Sequence, residues 1–296
     1  MRVSVISDIH TEYADPPVLP GGDLLLIAGD TLTHRIIDPR FQDPDSRGAR
    51  RRAQHFFRGQ VQKKYKMAFI VMGNHDHWHG RFEDTDKLFR DFLAQNAPNT
   101  TLLEKQMAKI FGVTIMGTSL WAPCGVDTGL DWIIQNEMRD HRRIMTSIPP
   151  EWSPDYKSYT KERRWLPNDA NLEHEKAKEW LEKAIPAEGP VILLTHHAPT
   201  LMSAHGEDWA SAYLDGAYVS NLVPFFDRHP NIKLAVHGHT HHHEHYRAGA
   251  HGTLVVSNPR GYYPAERSAK FFDPQTEDFD LEDLLDGREG AADEGS

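Results

Sequence analysis

The chain has 296 residues, 39% of them hydrophobic and 10% aromatic, which is enough to bury a substantial core in one elaborated domain. It has no run of about 18 apolar residues to span a bilayer, and its single cysteine, Cys124, excludes an intrachain disulfide. The formal charge of −10 is unevenly spread. Residues 277–296 hold nine acids and one arginine, a net −8, which leaves the remainder near −2 and gives no global sign of nucleic-acid binding.

In chain order, Val3–Ile6 reads as a short apolar strand that runs into polar residues without the apolar stretch of a secretory signal. With the lone cysteine this makes a cytoplasmic location the default. Leu24–Ala28 is a second strand, after the turn Pro20-Gly21-Gly22. Residues 45–66 carry a basic run (Arg47, Arg50, Arg51, Arg52, Arg58, Lys63, Lys64) and read as a surface helix with a solvated face. Met67–Met72 is a third strand. Phe82–Ala94 has helical spacing of Phe82, Leu88, Phe89, Phe92 and Leu93. Short strands follow at Thr101–Leu103, Ile110–Phe111 and Val113–Met116.

Residues 121–165 are rich in Trp and Pro and weakly periodic. They read as an insertion or cap with a helix over Leu130–Ile144, whose tryptophans at 121, 132, 152 and 165 form its own core. Beyond it come a helix over Asn168–Ile185, a strand over Val191–Leu194, a helix over Tyr218–His229 and a strand over Ile232–Val236. His245–Arg247, Thr253–Val256 and Ala269–Phe272 read as closing strands. Residues 277–296 have the composition of a disordered acidic tail.

The informative pattern is positional. Five apolar strands each end in residue types that bind metal: Asp8-Ile9-His10, Gly29-Asp30, Gly73-Asn74-His75-Asp76, Thr195-His196-His197 and His237-Gly238-His239-Thr240-His241. The carboxyl ends of strands are where open α/β sheets build their sites. Carboxylate and amide oxygens with imidazoles suit Mn²⁺ or Fe, and also Zn²⁺, whereas the absence of thiolates argues against a structural zinc or an iron–sulfur cluster. In an extended segment residues i and i+2 point the same way, so Asp8 with His10, and His239 with His241, could each reach one centre. Glycines at 29, 73 and 238 allow close approach.

These segments, in this order, resemble the calcineurin-like metallophosphoesterase superfamily, over roughly residues 1–265. Thr118-Ser119-Leu120-Trp121, Met138-Arg139-Asp140-His141-Arg142 and Asn258-Pro259-Arg260-Gly261-Tyr262 resemble a group of small bacterial phosphoesterases within it. The resemblance implies an α/β fold, an αββα sandwich of two mixed β-sheets flanked by helices, with a dimetal site at one sheet edge; no linker divides the chain, so one domain over residues 1–276 is expected. It also implies that Asp8, His10 and His241 hold one divalent ion, that Asn74, His196 and His239 hold a second, and that Asp30 bridges them. His196 is preferred to His197 because it directly follows the strand, which leaves His197 behind the ligands. His75 would face substrate without holding metal, oriented by Asp76, and Arg142 and Arg260 are candidates for contacting phosphate.

Two metals can clamp the attacking and leaving oxygens of an in-line displacement and generate hydroxide from a bridging water. His75, protonated through Asp76, would then give a proton to the leaving group. The expected partner is a small phosphoester, as a phosphodiester or phosphomonoester. A nuclease acting on nucleic-acid ends is the alternative, and an inactive metal-binding scaffold is less favoured because the ligand set is complete.

Overall fold

In a computed structural model the described residues are 1–125, 129–148, 162–205, 212–266 and 268–285. Thirteen strands are found among them, and in chain order they are β1 (Arg2–Ile6), β2 (Gly22–Ile27), β3 (Tyr65–Ile70), β4 (Thr100–Leu102), β5 (Gln106–Ile110), β6 (Val113–Thr118), β7 (Met145–Ser147), β8 (Glu162–Arg164), β9 (Val191–Thr195), β10 (Ile232–His237), β11 (Glu244–Ala248), β12 (Thr253–Ser257) and β13 (Asp278–Asp280). They form one mixed sheet in the order β13-β1-β2-β3-β4, a second in the order β11-β12-β10-β9-β6-β5, and a separate antiparallel β7-β8 pair.

The central strands are apolar throughout because both of their faces are covered. Alternate side chains go to opposite faces. Val3, Val5, Leu24, Leu26 and Phe69 meet Ile192, Leu194, Leu234, Val236, Leu254 and Val256 between the two sheets. Leu25, Ile27, Ala68 and Ile70 point the other way, onto Phe56, Phe57, Phe89 and Phe92 of the helices over residues 44–64 and 82–96. Val191, Leu193, Ala235 and Val255 pack under the helices Pro167–Ala184 and Val223–Arg228. This gives the expected helix–sheet–sheet–helix sandwich. Among the described residues no helix is long and apolar enough to cross a membrane.

The parallel register sets Ile6 beside Ile27 and Ile27 beside Ile70, so the loops after β1, β2 and β3 emerge together. Leu194 beside Val236 does the same for β9 and β10. Ser7 donates its N–H to Asn258 O (3.0 Å) and accepts from Arg260 N (3.0 Å), which stitches the two sheets at the same edge. The strand-end loops of both sheets therefore open on one place.

Several elements differ from expectation. Residues 277–285, assigned by composition to a disordered tail, are ordered: β13 pairs antiparallel with β1, and Leu281–Leu285 is helical. Phe279 is buried between the sheets, and the buried Glu277 carboxylate meets His243 Nε2 (2.7 Å) and His245 Nδ1 (3.1 Å). Charge density misled here because one aromatic and one paired acid hold the segment; residues 286–296 lie outside the described residues. Ala269–Phe272 is not a strand, since its first residues belong to a short 3₁₀ turn. Tyr218–His229 divides into two short helices, Asp215–Tyr218 and Val223–Arg228, because Pro224 starts the second. Leu130–Ile144 likewise divides into Asp131–Glu137 and Asp140–Arg143.

The basic helix is not simply solvated. Arg50 donates to the carbonyls of Ile36, Asp38 and Phe41, and Arg52 to those of Thr11 and Glu12. Of the tryptophans expected to form a core over 121–165, Trp121 and Trp165 are buried with Trp78, Ile134 and Met138, whereas Trp132 is exposed and Trp152 lies outside the described residues.

Candidate metal centre

The loops after the strands pay a backbone cost to aim their side chains inward. Asp8, His10, Asp30, His239 and His241 all have φ between 48° and 69°, in the left-handed region. Non-glycine residues held there cost about 1–3 kcal/mol each, and such strain gathers at functional sites. Space is equally tight. A Cβ on Gly73 would lie 2.0 Å from Asp30 Oδ1, and one on Gly29 (φ +87°) would lie 2.5 Å from His196 Nδ1. Only glycine lets these loops approach so closely.

Two groups of side chains result. In the first, Asp8, His10 and His241 bring their ligand atoms within 4.8 Å of one another. His10 Nδ1 donates to Glu12 Oε1 (3.0 Å) and His241 Nδ1 to Glu266 (2.8 Å), so both rings turn Nε2 inward. Those two Nε2 atoms are 3.2 Å apart, with Asp8 Oδ1 3.3 Å from that of His241. Two lone pairs facing each other at that distance need a proton or a cation between them. Against the burial that opposes its charge, Asp8 and Glu266 push His241 up to about 10. The donor set fits a divalent cation.

In the second group, Asp30, His196 and His239 converge in the same way. His196 Nδ1 donates to Ala28 O (2.7 Å), leaving its Nε2 2.9 Å from Asn74 Oδ1 and 3.5 Å from Asp30 Oδ1. Asn74 Nδ2 donates to Asp140 Oδ1 (2.8 Å), which turns the amide oxygen inward. His239 Nε2 is buried without a partner among the described residues. Asp30 links the two groups, with Oδ1 toward His196 and Oδ2 3.9 Å from His10 Nε2, and it also lies in ligand range of His10 together with His75. Burial, then Asp76 and Asp8, raises the Asp30 carboxyl well above its ordinary value, a repulsion that cations at the centre would relieve.

All seven residues singled out as ligands are thus together, but His239 and His241 serve different groups. The i, i+2 argument thus fails for that pair, whereas Asp8 and His10, equally left-handed, do share one group. His197 lies behind the second group, its ring 4.2 Å from that of His239 and 5.1 Å from that of Trp121.

His75 stands at the cavity wall with both ring nitrogens engaged, Nδ1 with Glu12 Oε1 (3.0 Å) and Nε2 with the Tyr262 hydroxyl (3.0 Å). Its ring stacks on Trp78 at 3.2 Å. The expectation that Asp76 orients His75 is corrected. The buried Asp76 carboxylate instead accepts backbone N–H groups of Asp30, Thr31, Leu32 and Gly73, and so ties the loops after β2 and β3 together. Burial and His10 hold the basicity of His75 well below its ordinary value, against Glu12, and Asp76 is not among the groups that act on it.

A cavity of about 330 Å³ opens over the centre, lined by Asp30, Asn74, His75, His239 and His241 below and by Trp78, Met138, Arg139, Tyr218 and Tyr262 around it. The expected phosphate contacts Arg142 and Arg260 do not line it. Arg142 is exposed and donates to Glu137 O, and Arg260 is buried, donating to Ile9 O and lying over Tyr263. Arg139 takes their place at the rim. Sequence reasoning also passed over Glu12, Asp140, Tyr262 and Glu266. Asp140 and Tyr262 lie within segments quoted for the resemblance, and Glu12 stands at i+2 from His10, but nothing in the sequence marks Glu266.

A sandwich of two mixed sheets whose strand ends gather carboxylates and imidazoles in this way is an α/β scaffold able to bind metal. The chain belongs to the calcineurin-like phosphoesterases, whose family model matches residues 1–243, and it is a hydrolase acting on phosphoester bonds. No curated protein matches the sequence. Among solved structures, the phosphopantetheinyl hydrolase PptH from Mycobacterium tuberculosis is similar in fold, with a TM-score of 0.56 and 16% identity over 92% of this chain and 96% of that one. TT1561 of Thermus thermophilus gives a TM-score of 0.43 and 13% identity over 87% of this chain and 88% of that one.

Proposed function

We propose that the chain hydrolyses a small organic phosphoester, a diester or monoester, with two divalent ions at the centre. The observation that carries this reading is the pair of donor groups joined by Asp30, each with its imidazole Nε2 atoms turned inward. Asp8, His10 and His241 would hold one ion and Asn74, His196 and His239 the other, with Asp30 between them; Mn²⁺ or Fe suits this mixture of oxygen and nitrogen donors. When bound, such a pair neutralises phosphoryl charge and supplies the nucleophile from water.

The chain's own side chains do the rest. His75 meets the Tyr262 hydroxyl at the cavity wall, and with its Nδ1–H held by Glu12 its Nε2 is the atom that would take up the proton lost by the attacking water and pass it to the leaving oxygen. Arg139, at the rim, makes no ion pair within 4.0 Å among the described residues and is placed to take an anionic oxygen of the substrate. Engagement of Arg50 and Arg52 by the protein's own carbonyls favours a small substrate over nucleic acid.

The test is a screen of the Mn²⁺-reconstituted protein against phosphomonoesters, phosphodiesters, nucleotides and oligonucleotides, with a phosphopantetheinyl diester included because of the similarly folded PptH. Turnover of small esters supports the reading. Turnover confined to oligonucleotides would replace it with a nuclease, and a dead screen with two bound metals would sink it.

A further inference from the structure

One carboxylate oxygen at the site has two tasks. Glu12 Oε1 lies 3.0 Å from His10 Nδ1 and 3.0 Å from His75 Nδ1. A carboxylate only accepts, so both Nδ1 atoms carry hydrogen and both rings must present Nε2 to the centre. For His10 that is the nitrogen beside Asp8 and His241; for His75 it is the one bonded to Tyr262. The two rings sit edge to face with centroids 4.5 Å apart.

Glu12 is itself held from behind. Arg52 donates Nε to Thr11 O (2.7 Å) and NH2 to Glu12 O (2.7 Å), while Thr11 is fixed to Thr31 O by its backbone N–H (3.0 Å) and its hydroxyl (2.7 Å). The basic helix thus reaches the centre through two main-chain carbonyls, which accounts for an arginine that the proposed reaction does not otherwise use.

We infer that Glu12 is a positioning residue shared by a metal-ligating and a substrate-facing histidine, with Arg52 clamping its backbone. It sets the orientation and tautomer of His10 for metal and of His75 for the leaving group. The inference rests on the phosphoesterase reading for its second half only.

Because two tasks are claimed, two readouts separate them. In Glu12→Ala, chelator competition should show one of the two Mn²⁺ equivalents weakened by about tenfold or more and the other unaltered, in line with the loss of a ligand's outer partner. At saturating Mn²⁺, kcat should fall at least tenfold further for an alkyl-leaving diester than for a nitrophenyl-leaving one. In a His75→Ala background that kcat effect should vanish while the metal effect persists, since residues acting as a unit are non-additive. Glu12→Gln, which keeps an acceptor oxygen, should recover most of both effects. Arg52→Ala should reproduce both at smaller size, and it stands in if Glu12→Ala fails to fold.

Additive losses in the double variant, equal losses for both leaving groups, or equal weakening of both metals would each overturn the shared role. If the wild-type protein binds two metals yet hydrolyses nothing, the phosphoesterase reading fails while the metal readout still decides the His10 half.

Discussion

The two halves of the centre are built from similar ligand atoms but backed differently. Behind the first group stand carboxylates: Glu12 on His10 and Glu266 on His241, with Asp8 itself receiving the His239 N–H. Behind the second stand neutral or already occupied groups. A main-chain carbonyl, Ala28 O, backs His196; the aromatic ring of Tyr218 stacks on His239 at 4.6 Å; and Asp140 divides one oxygen between Asn74 and Trp78 Nε1. A carboxylate behind an imidazole makes it a stronger donor. The first position should therefore hold its ion more tightly, and a chelator should empty the second one first. Asymmetry is thus written in the outer partners, not in the ligands.

The largest expected effect tests where the boundary of the first half lies. His75 is near enough to His10 and Asp30 to be counted as a ligand by distance alone, yet both its nitrogens are taken by Glu12 and Tyr262. His75→Ala should keep two metal equivalents by elemental analysis and lose about 10²–10⁴-fold in kcat on an alkoxide-leaving ester. Loss of a metal equivalent would instead make His75 a ligand and redraw the comparison.

Next come paired variants of the outer partners. Glu266→Gln should weaken the ion of the first group and Asp140→Ala that of the second, each by about 10–100-fold in affinity, as read by metal titration with thermal midpoints as the control for folding. If both variants weakened the same ion, the division into two halves would be wrong. A smaller effect belongs to the rim: Arg139→Ala should raise KM about tenfold, as expected for one charge-assisted hydrogen bond, with metal binding untouched. An unaltered KM on every turned-over substrate would remove Arg139 from recognition.

How far the sequence carried follows the same division. Every strand that delivers a ligand was legible, since a strand buried on both faces reads as an unbroken apolar run and the ligand types follow at its end. What backs those ligands was not. Glu266 approaches His241 from 25 residues further along the chain, and Asp140 reaches Asn74 from 66 residues away, on one of two short helices with no clear period. Asp76 shows the opposite failure: adjacency to His75 suggested a partner, but at a turn neighbouring side chains diverge, and the carboxylate found four amide N–H groups instead. β13 was hidden because one buried phenylalanine in an acidic stretch is no periodic signal.

The smallest effect is the most direct probe of the second half. Tyr218 lies over His239 with ring planes 29° apart, and His239 has no carboxylate behind it among the described residues. Tyr218 supports the imidazole by ring contact, as does His197 at 4.2 Å, and aromatic pairs contribute about 0.5–1.5 kcal/mol beyond the area they bury. Tyr218→Leu keeps an apolar cover but loses the stack, so the second ion should weaken by roughly threefold and the first not at all. Tyr218→Phe keeps the ring and should bind both ions as the wild type does. Competition with a chelator across the two variants reads this difference. A large loss in Tyr218→Phe would show that the hydroxyl, not the ring, supports His239, and the second half would then be backed by a polar partner as the first one is.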